Sequence, residues 1–302
     1  IAGWNLYQSL NRNDENSSDE FGSAVAISAN RIFVGAPRAE WNGSDRGMVA
    51  VYEKEYGAHS WTLRRELFAG SVGDTNLGYG EFGAAIATNG RFLAVGAPGI
   101  NDGVCFLYRI PGMDTLPLPN DSDWRPEVVW APDDGGFSPE FGASMAISDD
   151  LLVVGAPDWN GWPNTGAVFI YRYLDGVWSL DGMLQSEEGV AYGSSVAIED
   201  GMIVVGDPEA GDGGRVYLYA GGGGSWFEQT HAITDGALGD SLGHAVAIKS
   251  GVLYAGAPGH GGGGALRNPA SDQSRANVPQ KEARALGVAS NQRALIGLCP
   301  HR

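Results

Sequence analysis

The chain has 302 residues, with 36 acidic against 19 basic side chains and a formal net charge of −17. That balance excludes nucleic acid as an expected partner, because its phosphates would be repelled, and it disfavours anionic membrane surfaces for the same reason. Glycine is abundant at 47 residues, helical periodicity is scarce, two cysteines frame no disulfide scaffold, and no run of 18 apolar residues predicts a membrane span.

The chain starts at Ile1 rather than Met, which reads as a processed product or a fragment. Residues 1–10, IAGWNLYQSL, read as the end of a structural unit, because Trp4 matches Trp61, Trp124, Trp178 and Trp226 further on. Then comes Phe21–Pro37, FGSAVAISANRIFVGAP, which returns at Phe82–Pro98 and Phe141–Pro157 and, more loosely, at Tyr192–Pro208 and Leu242–Pro258. The copies start 61, 59, 51 and 50 residues apart, a period that points to a repeat array or propeller. Each copy reads as a β-hairpin. Its second arm is an unbroken apolar run, such as Leu152-Val153-Val154, as expected of a strand buried on both faces. Short turn pairs join the arms: Ala29-Asn30, Asn89-Gly90, Asp149-Asp150, Asp200-Gly201 and Ser250-Gly251. Pro then ends the strand, having no N–H for the ladder.

After each of the first four hairpins comes a segment that opens with Gly and ends in Tyr, at 47–52, 103–108, 166–171 and 214–219. Cys105 takes a position filled by Val49, Val168 and Val216 in the other copies, so a core role is expected. A Trp strand follows. The unit is therefore a four-stranded antiparallel sheet, the blade of a β-propeller, and the fold class is all-β.

The paired Phe-Gly and Gly-Ala-Pro motifs at this spacing resemble the FG-GAP repeats of the integrin α-chain propeller and of related extracellular proteins. The resemblance covers about residues 1–258, with repeat starts at 21, 82, 141, 192 and 242. It implies a seven-bladed ring, with residues 1–10 as the outer strand of a neighbouring blade, and ligand recognition or adhesion on one ring face; it does not by itself imply catalysis. Two departures stand out. Many relatives carry a calcium loop of the Asp-x-Asp-x-Asp-Gly type between the first two strands, but here that connection is a tight turn without room for six oxygen ligands. No cofactor is therefore expected. The second departure is blade count: four complete blades are followed by one hairpin at Leu242–Pro258, and no Gly-x-Val-x-x-Tyr segment follows it. Residues 259–302 open with glycines and turn basic, with six Lys/Arg against two Asp/Glu, and read as a flexible tail or one foreign to the propeller.

No catalytic constellation is evident. The five histidines are scattered, and His244 stands where Ser or Ala stands in the other copies. Zinc spacings, phosphate loops and nucleophile elbows are missing from the sequence. The variable segments are the loops between the second and third strands. Two contain Trp-Asn-Gly, which makes Trp41, Asn42, Asp45, Trp159, Asn160 and Trp162 the candidate ligand contacts. A loop Trp offers a sugar or protein a large area at low entropic cost; alternatively it folds back and caps the blade edge. Antiparallel connectivity puts these loops on the same face as the acid-rich segments entering each repeat, which carry Asp19, Glu20, Glu81, Asp133, Asp134, Glu140 and Asp240. Asn16, Asn42 and Asn120 fit the N-glycosylation pattern. The leading expectation is an extracellular or cell-surface module, not an enzyme, that binds a protein or carbohydrate ligand through its loop face and does not insert in a membrane. The alternatives are a carbohydrate-active lyase or hydrolase using loop-face carboxylates, and a structural scaffold.

Overall fold

A computed structural model of the chain describes residues 8–11, 18–41, 43–69, 80–100, 103–111, 124, 126–130, 140–159, 166–186, 191–233, 237–259 and 265–267. The regular elements in them are all strands. Blade one contains β1 (Val25–Ser28), β2 (Arg31–Ala36), a two-residue hairpin of β3 (Glu40–Trp41) and β4 (Ser44–Asp45), then β5 (Met48–Glu53) and β6 (Thr62–Leu67). Blade two has β7 (Ile86–Thr88), β8 (Phe92–Ala97), β9 (Val104–Arg109) and β10 (Pro126–Trp130). Blade three has β11 (Ser144–Ile147), β12 (Leu151–Ala156), β13 (Ala167–Leu174) and β14 (Val177–Leu184). Blade four has β15 (Ser195–Glu199), β16 (Met202–Asp207), β17 (Arg215–Gly222) and β18 (Ser225–Ile233). Blade five has β19 (Ala245–Lys249), β20 (Val252–Ala257) and β21 (Ala265–Arg267).

Each complete blade is a four-stranded antiparallel meander with its strands in chain order. The register repeats: Ala36 faces Met48, Ala97 faces Val104, Ala156 faces Ala167 and Asp207 faces Arg215. First strands of successive blades pack on one another, β1 on β7, β7 on β11, β11 on β15 and β15 on β19, and among the described residues the series does not close into a ring. The second strands β2, β8 and β12 are buried at every position, as their unbroken apolar runs predict.

The core lies between blades. Phe33, Val49 and Val51 of blade one meet Phe82, Leu93 and Phe106 of blade two, and equivalent clusters join blades two to three and three to four. The outer-strand tryptophans plug these seams: Trp124 joins the first, Trp178 the second, and Trp226 packs against the third. Cys105 is fully buried, so burial pushes its thiol pKa up and leaves it a small apolar core residue.

The two motifs interlock through glycine. Within a blade, the N–H of the Phe-Gly glycine donates to the carbonyl of the Gly-Ala-Pro glycine: Gly22 to Gly35 at 2.8 Å, Gly83 to Gly96 at 2.9 Å and Gly142 to Gly155 at 3.0 Å. Between blades, the Phe-Gly carbonyl of one blade lies so close over the Gly-Ala-Pro glycine of the blade before it that a Cβ there would overlap it; Gly35, Gly96, Gly155 and Gly206 are roofed in this way by Gly83, Gly142, Gly193 and Gly243. The residue before each of these later glycines forms a parallel bridge back to the preceding blade: Phe82 to Gly47, Phe141 to Gly103, Tyr192 to Gly166 and Leu242 to Gly214. All four of these residues are fully buried. The repeat motif is therefore the joint between blades, and glycine is required because backbones meet there.

Two expectations change at the ends of the array. The boundary drawn at residue 258 falls inside blade five, because β21 pairs with β20 (Ala257 facing Ala265, Gly256 facing Leu266) in the register of the other third strands. The Gly-to-Tyr pattern missed it because Gly264-Ala265-Leu266-Arg267 runs into Asn268-Pro269, and Pro cannot donate to a ladder. At the other end, residues 8–11 carry no strand. They lie against blade one, where the Gln8 side chain donates to the Trp61 carbonyl at 2.9 Å and accepts from the Trp61 N–H at 2.7 Å, while Asn11 accepts from the Tyr52 hydroxyl at 3.1 Å. Residues 1–7, expected with them as an outer strand, and the tail beyond 267 lie outside the described residues.

Candidate functional site

The array has two rims. The turn rim carries the hairpin turns between first and second strands. Asp200-Gly201 and Ser250-Gly251 take positive φ at both central residues (49° and 75°; 53° and 71°), the geometry that matches strand twist. At Asn89-Gly90 the Asn89 side chain accepts from the N–H groups of Arg91 at 3.0 Å and Phe92 at 2.8 Å. Arginines of this rim are engaged, Arg31 and Arg91 across seams and Arg172 within its blade. Arg31 is paired with Glu53 at 2.7 Å and lies over the Trp124 ring, Arg91 lies over Tyr173 at 4.7 Å, and Arg172 is paired with Asp150 and Asp181. Asp181 in turn accepts from the Trp226 indole N–H of the next blade at 3.1 Å.

The loop rim is different. Here the chain enters each repeat and leaves the second strand, as the bond from the Arg38 N–H to the Asp19 carbonyl at 3.2 Å shows. The residue before Phe-Gly turns left-handed: Glu20, Glu81, Glu140 and Ser241 have φ of 55°, 50°, 53° and 55°. Such a backbone costs a residue with a Cβ on the order of 1 kcal/mol. The turn is closed by a bond from the N–H three residues on, at 3.0 Å for both Glu81–Ala84 and Glu140–Ala143. Three blades thus hold a glutamate at a strained, repeated place on one rim. Glu20 is paired with Arg38 at 3.0 Å. Glu140 faces like charge instead: partial burial, then Asp158, then Glu81 push its carboxyl pKa above the usual carboxylate range. Asp158 directly follows Pro157 of the motif, and Glu140 and Asp158 are exposed.

The sequence candidates divide. Asp45 is exposed on β4, in the small hairpin that bends around Gly43. Trp159 is half-buried, its ring edge-on to Phe169 at 5.0 Å and packed on the cluster between blades two and three. The alternative reading applies to it: Trp159 caps the seam. Trp41 is described in its backbone alone, and Asn42, Asn160 and Trp162 lie outside the described residues, as do the glycosylation candidates Asn16 and Asn120 and the loop acids Asp133 and Asp134. Asp158, which faces Glu140, is not among the sequence candidates; its signal is an acid placed directly after the Gly-Ala-Pro of blade three.

A second acid has an unusual setting. Asp207 replaces the Ala of Gly-Ala-Pro in blade four and is fully buried. Burial pushes its carboxyl up to about 6, against the opposing pull of the Ala191, Glu209 and Ala210 N–H groups and of Arg215. Nearby, the Tyr217 hydroxyl meets the Ser186 hydroxyl at 3.0 Å in a buried contact. Among the described residues no three His, Cys, Asp or Glu side chains are grouped to hold a metal ion. No helix among them is long and apolar enough to cross a membrane.

The FG-GAP repeat family model matches residues 4–52 and 124–171, and no curated protein matches the chain. The matched spans run from Trp4 to the third-strand residue Tyr52 and from Trp124 to the third-strand residue Tyr171, and so include one complete interlocking motif each. The two matched spans are FG-GAP repeats, and the same motif and strand order recur through the five described blades.

Proposed function

We propose that this protein is a recognition module, working at an extracellular or cell surface, whose loop rim binds a basic protein ligand. The observation that carries the reading is the setting of Glu140, an exposed residue whose carboxyl is pushed up by partial burial and then by the facing charges of Asp158 and Glu81. Like charges held together on a rigid scaffold cost stability, and a cationic partner relieves that cost on binding. The repeated left-handed glutamates support the same rim, since backbone strain concentrates at functional positions. A sugar ligand is the weaker choice, because the described loop tryptophan, Trp159, turns its ring to Phe169. Calorimetric titration with poly-L-lysine and with neutral oligosaccharides tests the proposal. Saturable binding of the polycation that strengthens as pH rises and Glu140 ionises, and that falls at least tenfold in a Glu81→Gln, Glu140→Gln, Asp158→Asn variant, is expected. Equal binding by that variant would refute it.

One observation favours a catalytic reading: Asp207, a carboxyl near neutrality beside Arg215 and Tyr217. Its complete burial keeps it from any substrate in this conformation. Hydrolysis or lyase activity toward a polysaccharide panel, lost in Asp207→Asn, would support this second reading.

A further inference from the structure

Two arginines meet at one oxygen on the turn rim. Arg91 immediately precedes β8, and Arg109 ends β9 of the same blade. Across the seam, Tyr173 lies on β13 of blade three. Arg91 Nη2 donates to the Tyr173 hydroxyl oxygen at 3.1 Å, and Arg109 Nη2 donates to the same oxygen at 3.3 Å. The two donor nitrogens are therefore no farther apart than the sum of those distances, although both groups are cationic. Arg91 and Arg109 are exposed, and Tyr173 is half-buried.

Their place in the repeat sets them apart. The strand position of Arg109 is taken by Glu53 in blade one and by Arg172 in blade three. Each of those has an opposite charge beside it: Glu53 pairs with Arg31 at 2.7 Å and Arg172 with Asp150 at 2.8 Å. In blade two the residue facing Arg109 is Phe92, and among the described residues Arg91 is paired with no carboxylate. Pro111, two residues beyond β9, accepts from Arg31 of blade one at 3.0 Å, so the chain leaves β9 on the side away from this seam.

Packing holds the cluster in place. Phe92 is fully buried and stands edge-on to Tyr173 at 5.1 Å and to Trp178 at 5.3 Å. The Arg91 guanidinium lies over Phe92 at 5.1 Å and over Tyr173 at 4.7 Å, and that of Arg109 lies over Phe92 at 5.2 Å. Rings cover the guanidinium faces, which leaves the in-plane N–H edges to bind. A phenol oxygen accepts two hydrogen bonds and donates one. With arginine in both acceptor places, the Tyr173 proton is directed at a further acceptor.

We propose that Arg91, Arg109 and Tyr173 form a binding site for a sulfate or phosphate monoester group on the turn rim, over the seam between blades two and three. The terminal oxygens of the ester take N–H groups of both arginines and the Tyr173 O–H, and the anion separates two like charges. A net charge of −17 gives no long-range attraction to an anion, so affinity comes from these three side chains and the ligand is a single ester rather than a long polyanion. The site lies on the opposite rim from Glu81, Glu140 and Asp158 and does not depend on their role.

Heteronuclear NMR of the arginine side-chain N–H groups of the full chain tests this at low ionic strength, with methyl sulfate and methyl phosphate as probes and methanol as the neutral control. At least one ester is expected to shift the Arg91 and Arg109 signals saturably, and a response to one alone names the ester. Arg91→Gln should weaken binding roughly tenfold or more, and Tyr173→Phe roughly threefold or more, through lost hydrogen bonds to the anion. Tyr173→Phe keeps the ring on Phe92 and Trp178, so it removes the hydroxyl without removing the packing. Arg64→Gln takes the same charge from blade one, outside the cluster, and should change the affinity by less than about twofold. Failure of both esters to saturate, an equal response to methanol, or equal weakening by Arg64→Gln and Arg91→Gln would overturn the proposal.

Discussion

Gly96→Ala and Gly256→Ala are the same chemical change at the same motif position, and the structure gives them opposite outcomes. At Gly96 the new Cβ would meet only backbone, the carbonyl oxygen, carbonyl carbon and Cα of Gly142 in the next blade, so no side-chain rotation relieves the overlap. Restoring ordinary contact requires the two blades to part by roughly 1.5 Å at the joint, which loosens the seam around Phe92, Phe141 and Phe169. Overpacking of this kind costs about 1–3 kcal/mol, and more where backbone must move. At Gly256 the nearest atoms are 3.6 to 3.8 Å away, and its φ is outside the left-handed region. Alanine there reduces the entropy of the unfolded chain and stabilises by about 0.4–1 kcal/mol. The two variants should therefore differ by roughly 1.5–4 kcal/mol. Urea unfolding followed by tryptophan fluorescence reads this as a lowered midpoint for Gly96→Ala and an unchanged or raised one for Gly256→Ala. Equal midpoints for the two would refute the interblade role assigned to the motif.

Other consequences can be measured in the same way. Asp207 has a folded-state pKa of about 6 against an ordinary 3.8, so the native state holds its proton more tightly than the unfolded chain. Its contribution is most favourable below the lower value and is lost as pH rises through the higher one, a swing of about 3 kcal/mol. Asp207→Asn should flatten the pH dependence of the urea midpoint between those values; an unaltered slope would show that the carboxyl is not the cause. Trp159→Ala should destabilise the fold by about 2–3 kcal/mol, through the lost contact with Phe169 and a cavity at the seam, as read by thermal unfolding. A variant of unchanged stability would return Trp159 to the list of free loop aromatics.

The repeat itself was legible, because a buried joint demands the same residues each time it is built. The glycines admit neighbouring backbone, and Phe82 or Tyr192 fills the space behind it, so the spacing survives while intervening loops drift in length. Strand type was legible for a similar reason: Leu151–Ala156 is apolar throughout because both of its faces are covered. The site was less so. A tryptophan in a loop reads alike whether it faces solvent or Phe169, and that choice is made by a residue ten positions along the chain in another strand. The grouping of Glu81, Glu140 and Asp158 depends on the stacking of two blades, which no local pattern encodes. β21 was hidden by brevity, since three residues pair without the Val and Tyr by which longer third strands are known.

The central claim is that the loop rim, and not the turn rim, recognises a cationic ligand. Hydrogen–deuterium exchange of the chain with and without bound poly-L-lysine tests it most directly, because both rims report in one experiment. Slowed exchange is expected in peptides covering Glu81–Ala84, Glu140–Ala143 and Asp158-Trp159, with no change at the turns. Protection confined to Ala29-Asn30, Asn89-Gly90, Asp149-Asp150 and Asp200-Gly201 would contradict it.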